Sequence, residues 1–78
     1  MLPVWKEIQF LIYEARLALE LSGYTEGPGT DAVTDEEDQI VGALVFAFDA
    51  DGNRGTETVW YPEGWKEREQ QERSAASR

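Results

Sequence analysis

Residues 39–48, Gln39-Ile40-Val41-Gly42-Ala43-Leu44-Val45-Phe46-Ala47-Phe48, constrain this chain more than any other segment. Ile40, Leu44, Phe46 and Phe48 alternate onto one face together with Gly42, and Val41, Ala43, Val45 and Ala47 fall on the other. The second set is smaller, but both are apolar. A strand of that kind is central in its sheet or covered on both sides.

The cover at hand lies N-terminal to it. Residues 3–22 read as a helix, with Pro3 suited to the first helical position and Gly23 to the left-handed position just past the end. At 100° per residue, Val4, Ile8, Leu11, Ile12, Ala15, Ala18 and Leu19 share one broad face, with Trp5 at its edge. That face is expected to bury against the sheet. Phe10, Leu17 and Leu21, with Tyr13 beside them, form a second apolar stripe. Glu7 and Glu14 separate the stripes on one side, and Gln9, Arg16 and Glu20 on the other. One sheet cannot cover both, so the second stripe meets the C-terminal segment, a second copy or a partner protein.

Residues 24–38 read as a long loop. Gly27-Pro28-Gly29 argues against regular structure, and Asp35-Glu36-Glu37-Asp38 repels itself and stays solvated. Loops of this length in so small a domain tend to be functional or mobile. Beyond the strand, the stretch from Asp49 to Gly55 is a turn, and Thr56-Glu57-Thr58-Val59-Trp60-Tyr61 is the return strand of a hairpin. Pro62-Glu63-Gly64 turns tightly into a short polar helix over 65–73, anchored by Trp65 and carrying Arg68–Glu72 and Glu69–Arg73 at i,i+4 spacing. The fold class is therefore α+β, an N-terminal amphipathic helix packed on an antiparallel β-hairpin (αββ) with a short polar C-terminal helix. Residues 1–73 read as one domain and 74–78 as a frayed tail.

With 78 residues the chain supports one core, which buries roughly 60% of the unfolded surface and needs reinforcement. It has no cysteine for disulfides or thiolate metal sites, and no histidine, the commonest metal ligand and general base. Oligomerisation is the reinforcement that remains, and a homodimer is expected. The net charge is −9, and between Glu20 and Glu63 eleven acids face Arg54 alone. Such a surface repels phosphate backbones and anionic headgroups, which speaks against direct binding of nucleic acid or membrane. The plainer account is that acidity keeps a small protein in solution. The first residues lack the basic region of a signal peptide, and no apolar run approaches the roughly 20 residues of a membrane span, so a cytoplasmic location is expected.

No residue pattern supports catalysis. Ser22, Ser74 and Ser77 have no histidine or cysteine to work with, and the carboxylates cluster in a loop expected to be wet. Asp49-x-Asp51-Gly52 invites a calcium reading, but setting Gly52 at position six of an EF-hand loop puts Ala47 at one and Thr58 at twelve. A plain hairpin turn explains it better, with a weak divalent-cation site as the alternative. No catalytic residue, cofactor or metal ligand is assigned. Candidate partner-binding residues are Asp35, Glu36, Glu37 and Asp38, through charge. Candidate interface residues are Phe10, Tyr13, Leu17, Leu21 and Trp65, because the second helix stripe needs cover and tryptophan and tyrosine are enriched at binding hot spots. In the competing structural reading Trp60 or Tyr61 caps the small core and Trp65 staples the tail.

The helix, the apolar strand, the Asp49-Ala50-Asp51-Gly52 turn, the second strand and the turn Pro62-Glu63-Gly64-Trp65 together resemble small uncharacterised accessory proteins of actinobacterial tailed phages. The resemblance is close over Ile40 to Trp65, and its motif is mostly hairpin chemistry. It implies no known activity and carries over no functional residue. What it implies is a small phage accessory protein; such proteins often work in the host cytoplasm by binding and inhibiting a host protein, and acidic ones can mimic the charge of nucleic acid. A self-associating structural or assembly protein is the alternative from another class.

Overall fold

The computed structural model describes residues 2–76. The elements run α1 (Val4–Leu21), β1 (Glu26–Thr34), β2 (Ile40–Phe48), β3 (Arg54–Trp60) and α2 (Trp65–Ala76). The three strands form one antiparallel sheet in the order β1-β2-β3. The α+β class stands, but the sheet is a three-stranded meander, not a hairpin.

Both ends of α1 are closed by the chemistry that its flanking residues allow. Pro3 sits one position before the helix, and its carbonyl accepts the N–H groups of Lys6 at 3.0 Å and Glu7 at 3.2 Å. Proline has no side-chain acceptor for the free amides of a first helical turn. That acceptor comes from 68 residues away, where the Glu72 carboxylate takes the Val4 N–H at 3.0 and 3.1 Å through its two oxygens. It also sets a negative charge at the positive end of the helix. At the other end Gly23, with φ 94°, turns the chain out. Its N–H donates to the Glu20 carbonyl and the Tyr24 N–H to the Leu19 carbonyl, a Schellman closure. Tyr24 then packs against the core cluster that contains Leu19.

The long loop expected over 24–38 is mostly strand. β1 pairs with β2 through Thr30↔Val45, Asp31↔Leu44, Ala32↔Ala43 and Val33↔Gly42, with register shifts near each end. Pro28 is tolerated because it falls in the irregular stretch between Glu26 and Gly29, on an edge strand where a missing N–H breaks no ladder. The flanking glycines give room to rings from β2. A Cβ on Gly29 would lie 2.5 Å from Cζ of Phe46, and one on Gly27 would lie 3.5 Å from the Phe48 ring. Glycine here marks close approach, not the absence of structure.

α1 packs on the small face of β2. Val45, Ala47, Val59 and Leu19 form the buried cluster, with Leu11, Ile12, Ala15, Tyr24 and Tyr61 against it. Val4, Ile8 and Ala43 are also buried. Side chains as short as Ala43 and Ala47 let the helix axis come close. The large face, with Ile40, Leu44, Phe46 and Phe48, has no element over it among the described residues; of the two arrangements expected of this strand, β2 takes the central position, between β1 and β3. The result is a two-layer plate measuring 50 × 29 × 17 Å. Its radius of gyration is 14.8 Å, against about 11.5 Å for a compact chain of this length.

α2 straps the start of α1. The Trp65 ring stands edge-on to Trp5 at 5.9 Å and to Tyr61 at 5.2 Å. Arg68 forms an ion pair with Glu7 and donates to the Leu2 carbonyl at 3.0 Å. Of the two i,i+4 pairs expected in this segment, Glu69–Arg73 forms. The other gives way, because Arg68 turns to Glu7 and Glu72 caps α1. The tail expected at 74–78 is helical as far as Ala76, and its last two residues lie outside the described residues.

Two stability tests follow from this packing. Glu72→Ala is expected to lower unfolding free energy by about 1 kcal/mol, the scale of a lost helix cap, while Glu72→Gln keeps part of it. Gly29→Ala is expected to cost about 1–3 kcal/mol, because the added methyl drives Phe46 off its seat. Urea midpoints measure both, and a Gly29→Ala midpoint equal to wild type would show that the ring is not held there.

Candidate functional site

The acidic run lies at the tip of the β1–β2 hairpin, and part of it is turn chemistry. Asp35 Oδ1 accepts the N–H of Glu37 at 2.8 Å and of Gln39 at 3.0 Å. The Asp35 N–H donates to the Gln39 carbonyl at 2.9 Å, and the Asp38 N–H to the Asp35 carbonyl at 3.1 Å. Asp38 adopts φ 62°, a left-handed conformation that aspartate tolerates better than most residues. The β2–β3 turn repeats the pattern. Asp49 Oδ1 accepts the N–H of Asp51 at 3.0 Å and of Asn53 at 2.8 Å, the Asp49 N–H donates to the Asn53 carbonyl, and Gly52 takes the left-handed position at φ 84°. Asp35-x-x-x-Gln39 and Asp49-x-x-x-Asn53 are thus one turn used twice. The repeated spacing is visible in the sequence once the turn is known. Glu36, Glu37 and Asp38 are exposed at the first tip.

The amides that converge on Asp49, chiefly that of Asn53, hold its carboxyl below the ordinary carboxylate range, with the Asn53 side chain adding to the effect. This carboxylate is engaged by its own turn, which favours the hairpin reading over the calcium reading. No group of three or more acidic side chains among the described residues is arranged to hold a metal ion. The Arg68 guanidinium, hydrogen-bonded to Glu7, holds its proton more firmly than usual, consistent with a structural ion pair.

Four of the five candidate interface residues come together. Phe10, Tyr13, Leu17 and Leu21 lie on the outer side of α1, exposed by 59%, 57%, 38% and 89%. Their spacing, i, i+3, i+7 and i+11, sets one straight stripe along the helix. Glu7 and Glu14 border it on one side, and Gln9, Arg16 and Glu20 on the other. α2 does not cover the stripe, which removes the C-terminal segment from the three occupants considered. Trp65 is not part of it, since its ring is half-buried between Trp5 and Tyr61, where it joins α2 to the rest of the fold.

A second apolar surface, on the large face of β2, is not among the sequence-predicted candidates. Phe46 lies over Gly29, Phe48 over Gly27, and Trp60 beside Gly42. Trp60 is 65% exposed on this face, while Tyr61 takes the core position. Val33, Ile40 and Leu44 fill the gaps, and the Arg54 guanidinium sits 4.8 Å over the Phe46 ring. A signal for the arrangement was present. Two phenylalanines two apart in one strand face two glycines two apart in the segment that pairs with it.

Two concavities among the described residues are open to solvent. One, of about 610 Å³, runs along α2 and is lined by Glu67, Gln70, Gln71, Ser74 and Ala75, a polar set on a single helix. The other, of about 200 Å³, lies where Gln39 and Val41 meet Trp65 and Lys66, below the roughly 300 Å³ at which small-molecule sites begin. No helix among the described residues is long and apolar enough to cross a membrane. Comparison with protein families, with curated proteins and with solved structures returns no match.

The lowered Asp49 value has a defined sign. The folded carboxyl binds its proton less readily than the unfolded one, so Asp49 stabilises the fold above the ordinary carboxylate value and ceases to do so as pH falls through the lowered folded value. Asp49→Asn is expected to melt below wild type near neutral pH, with the gap narrowing as pH falls to about 2. A gap that is constant in thermal melts across that range would remove the carboxylate from the account.

Proposed function

We propose that this chain is a non-enzymatic protein-binding module that lays the outer face of α1 into an apolar groove of a partner protein with a basic rim. The observation that carries this reading is the exposed stripe Phe10, Tyr13, Leu17 and Leu21, spaced as helix-in-groove anchors are spaced. Acidic side chains border the stripe, and more stand at the hairpin tip formed by Asp35, Glu36, Glu37 and Asp38. Charge of that sign speeds encounter with a basic surface and adds less to the lifetime of the complex. A basic groove that otherwise receives nucleic acid fits the same description. With the resemblance to phage accessory proteins, the proposal is a small phage protein that inhibits a host protein in the host cytoplasm.

A second reading, an assembly protein that works by self-association, is favoured by one observation. The two exposed apolar surfaces lie on opposite sides of the plate, and contacts between unlike faces propagate into open arrays.

A photo-reactive amino acid at Leu17 tests the choice in cells of the organism that carries the gene. The expected product is one recurrent heterologous adduct, peptide-mapped to a groove with lysine or arginine at its rim. Leu17→Glu is expected to abolish binding to that partner with circular dichroism unchanged. Glu36→Gln, Glu37→Gln and Asp38→Asn together are expected to slow association and flatten its dependence on salt. Adducts joining only copies of this chain would replace the proposal with the assembly reading.

A further inference from the structure

We infer that α2 is a releasable strap. It leaves the rest of the fold as one unit at the turn Pro62-Glu63-Gly64 and unfolds as it leaves, while α1 and the sheet stay folded. The released segment is where proteolysis of the native chain begins. This inference does not rest on the reading of the α1 stripe.

α2 gives no side chain to the core. The buried apolar side chains among the described residues are Val4, Ile8, Leu19, Ala43, Val45, Ala47 and Val59, all on α1, β2 or β3. On α2 the half-buried Trp65 is the apolar anchor, and residues 66–74 are all polar or charged. The remaining ties are polar. Arg68 pairs with Glu7 and donates to the Leu2 carbonyl, and Glu72 accepts the Val4 N–H. The Arg68 and Glu7 side chains are partly exposed, and ion pairs open to water hold weakly. A helix of 12 residues is marginal in water without packing. α2 is therefore helical only while docked, so undocking and unfolding are one event.

The backbone draws the line of release. The Tyr61 N–H donates to the Val41 carbonyl at 3.0 Å, and Tyr61 packs against the core cluster, so the sheet holds the chain up to that residue. The bonds of the helix begin just beyond. The Trp65 N–H donates to the Pro62 carbonyl at 3.1 Å and the Arg68 N–H to the Gly64 carbonyl at 3.1 Å. Between the two lies Gly64 at φ 74°, a conformation that glycine enters and leaves without steric cost.

Release bares the Trp5 and Tyr61 rings and returns the Val4 N–H to water. It leaves intact the bonds from Lys6 and Glu7 to the Pro3 carbonyl, and the cluster of Leu19, Val45, Ala47 and Val59. The freed segment carries Lys66, Arg68 and Arg73, whereas Lys6, Arg16 and Arg54 lie on α1 and β3. A protease acts on the locally open population, so the opening of lowest free energy decides where the chain is first cut.

Amide hydrogen exchange of the full chain, resolved by residue, is the test. The amides of residues 68–73 are expected to share one protection factor, at least about thirtyfold below that of Val45, and the Val4 amide is expected to share it. Equal protection in α2 and β2 overturns the inference. So does protection that falls steadily along α2 without Val4 following, which is the pattern of a fraying end. Trypsin under native conditions is expected to cut after Arg68, in mid-helix, before Arg16 or Arg54, and to leave a folded product. A first cut after Arg16 or Arg54 overturns the inference. Trp65→Ala is expected to abolish the protection of α2 and Val4 and to reduce helical circular dichroism, while the sheet keeps a cooperative urea transition. A Trp65→Ala chain without such a transition overturns it, because the core would then depend on α2.

Discussion

The contact between α1 and the small face of β2 organises everything else in this molecule. A helix can cover one side of a three-stranded sheet, and β2 offers it two apolar sides of different relief. Ala43, Val45 and Ala47 form a shallow trough that admits the helix closely, and Leu19, Ile12 and Ala15 pack into the cluster around Val45 and Ala47. The phenylalanine side would hold the helix off. Once that choice is made, Leu44, Phe46 and Phe48 must face away, and the molecule carries more large apolar side chains outside its core than within it. The exposed surfaces are a consequence of how the core was chosen, and they are where function has to be sought.

The second dependency runs from the end of the chain back to its beginning. α2 has little apolar surface of its own, and Trp65 is its anchor among Trp5 and Tyr61. From there Glu72 accepts the Val4 N–H that Pro3 leaves without a side-chain acceptor, and Arg68 donates to the Leu2 carbonyl just before the helix. The strap is polar and partly open to water, so its contribution is modest in energy. It fixes where α1 begins and keeps Val4 and Ile8 buried at the thin end of the plate.

Much of this was legible from local chemistry. Pro3 and Gly23 marked both ends of α1, the alternation of 39–48 marked β2, and the residues from Asp49 to Gly55 marked the turn that follows. The outer stripe of α1 was readable because helical spacing is rigid. What escaped depended on pairing across the chain. β1 was hidden because Gly27-Pro28-Gly29 breaks a strand unless a neighbour's rings occupy the space that the glycines leave. The orientation of β2 was hidden because alternation shows that two faces exist and not which one the helix prefers. Trp60 and Tyr61 exchanged expected roles for the same reason, since neighbours in a strand point oppositely and only the choice of face decides which goes inside. Arg68 and Glu72 were paired by helical spacing, whereas α1 claims both.

The two matched aspartate turns have a consequence for how the molecule orients in a crowd. Successive turns of an antiparallel meander leave opposite ends of the central strand, so the acids at Asp35–Asp38 and those at Asp49 and Asp51 stand about 30 Å apart along β2. That is several Debye lengths at physiological salt, so the two clusters act on an approaching molecule independently of each other. Another copy that approaches along the strand axis meets carboxylates first at either end, and end-on encounter is thereby opposed.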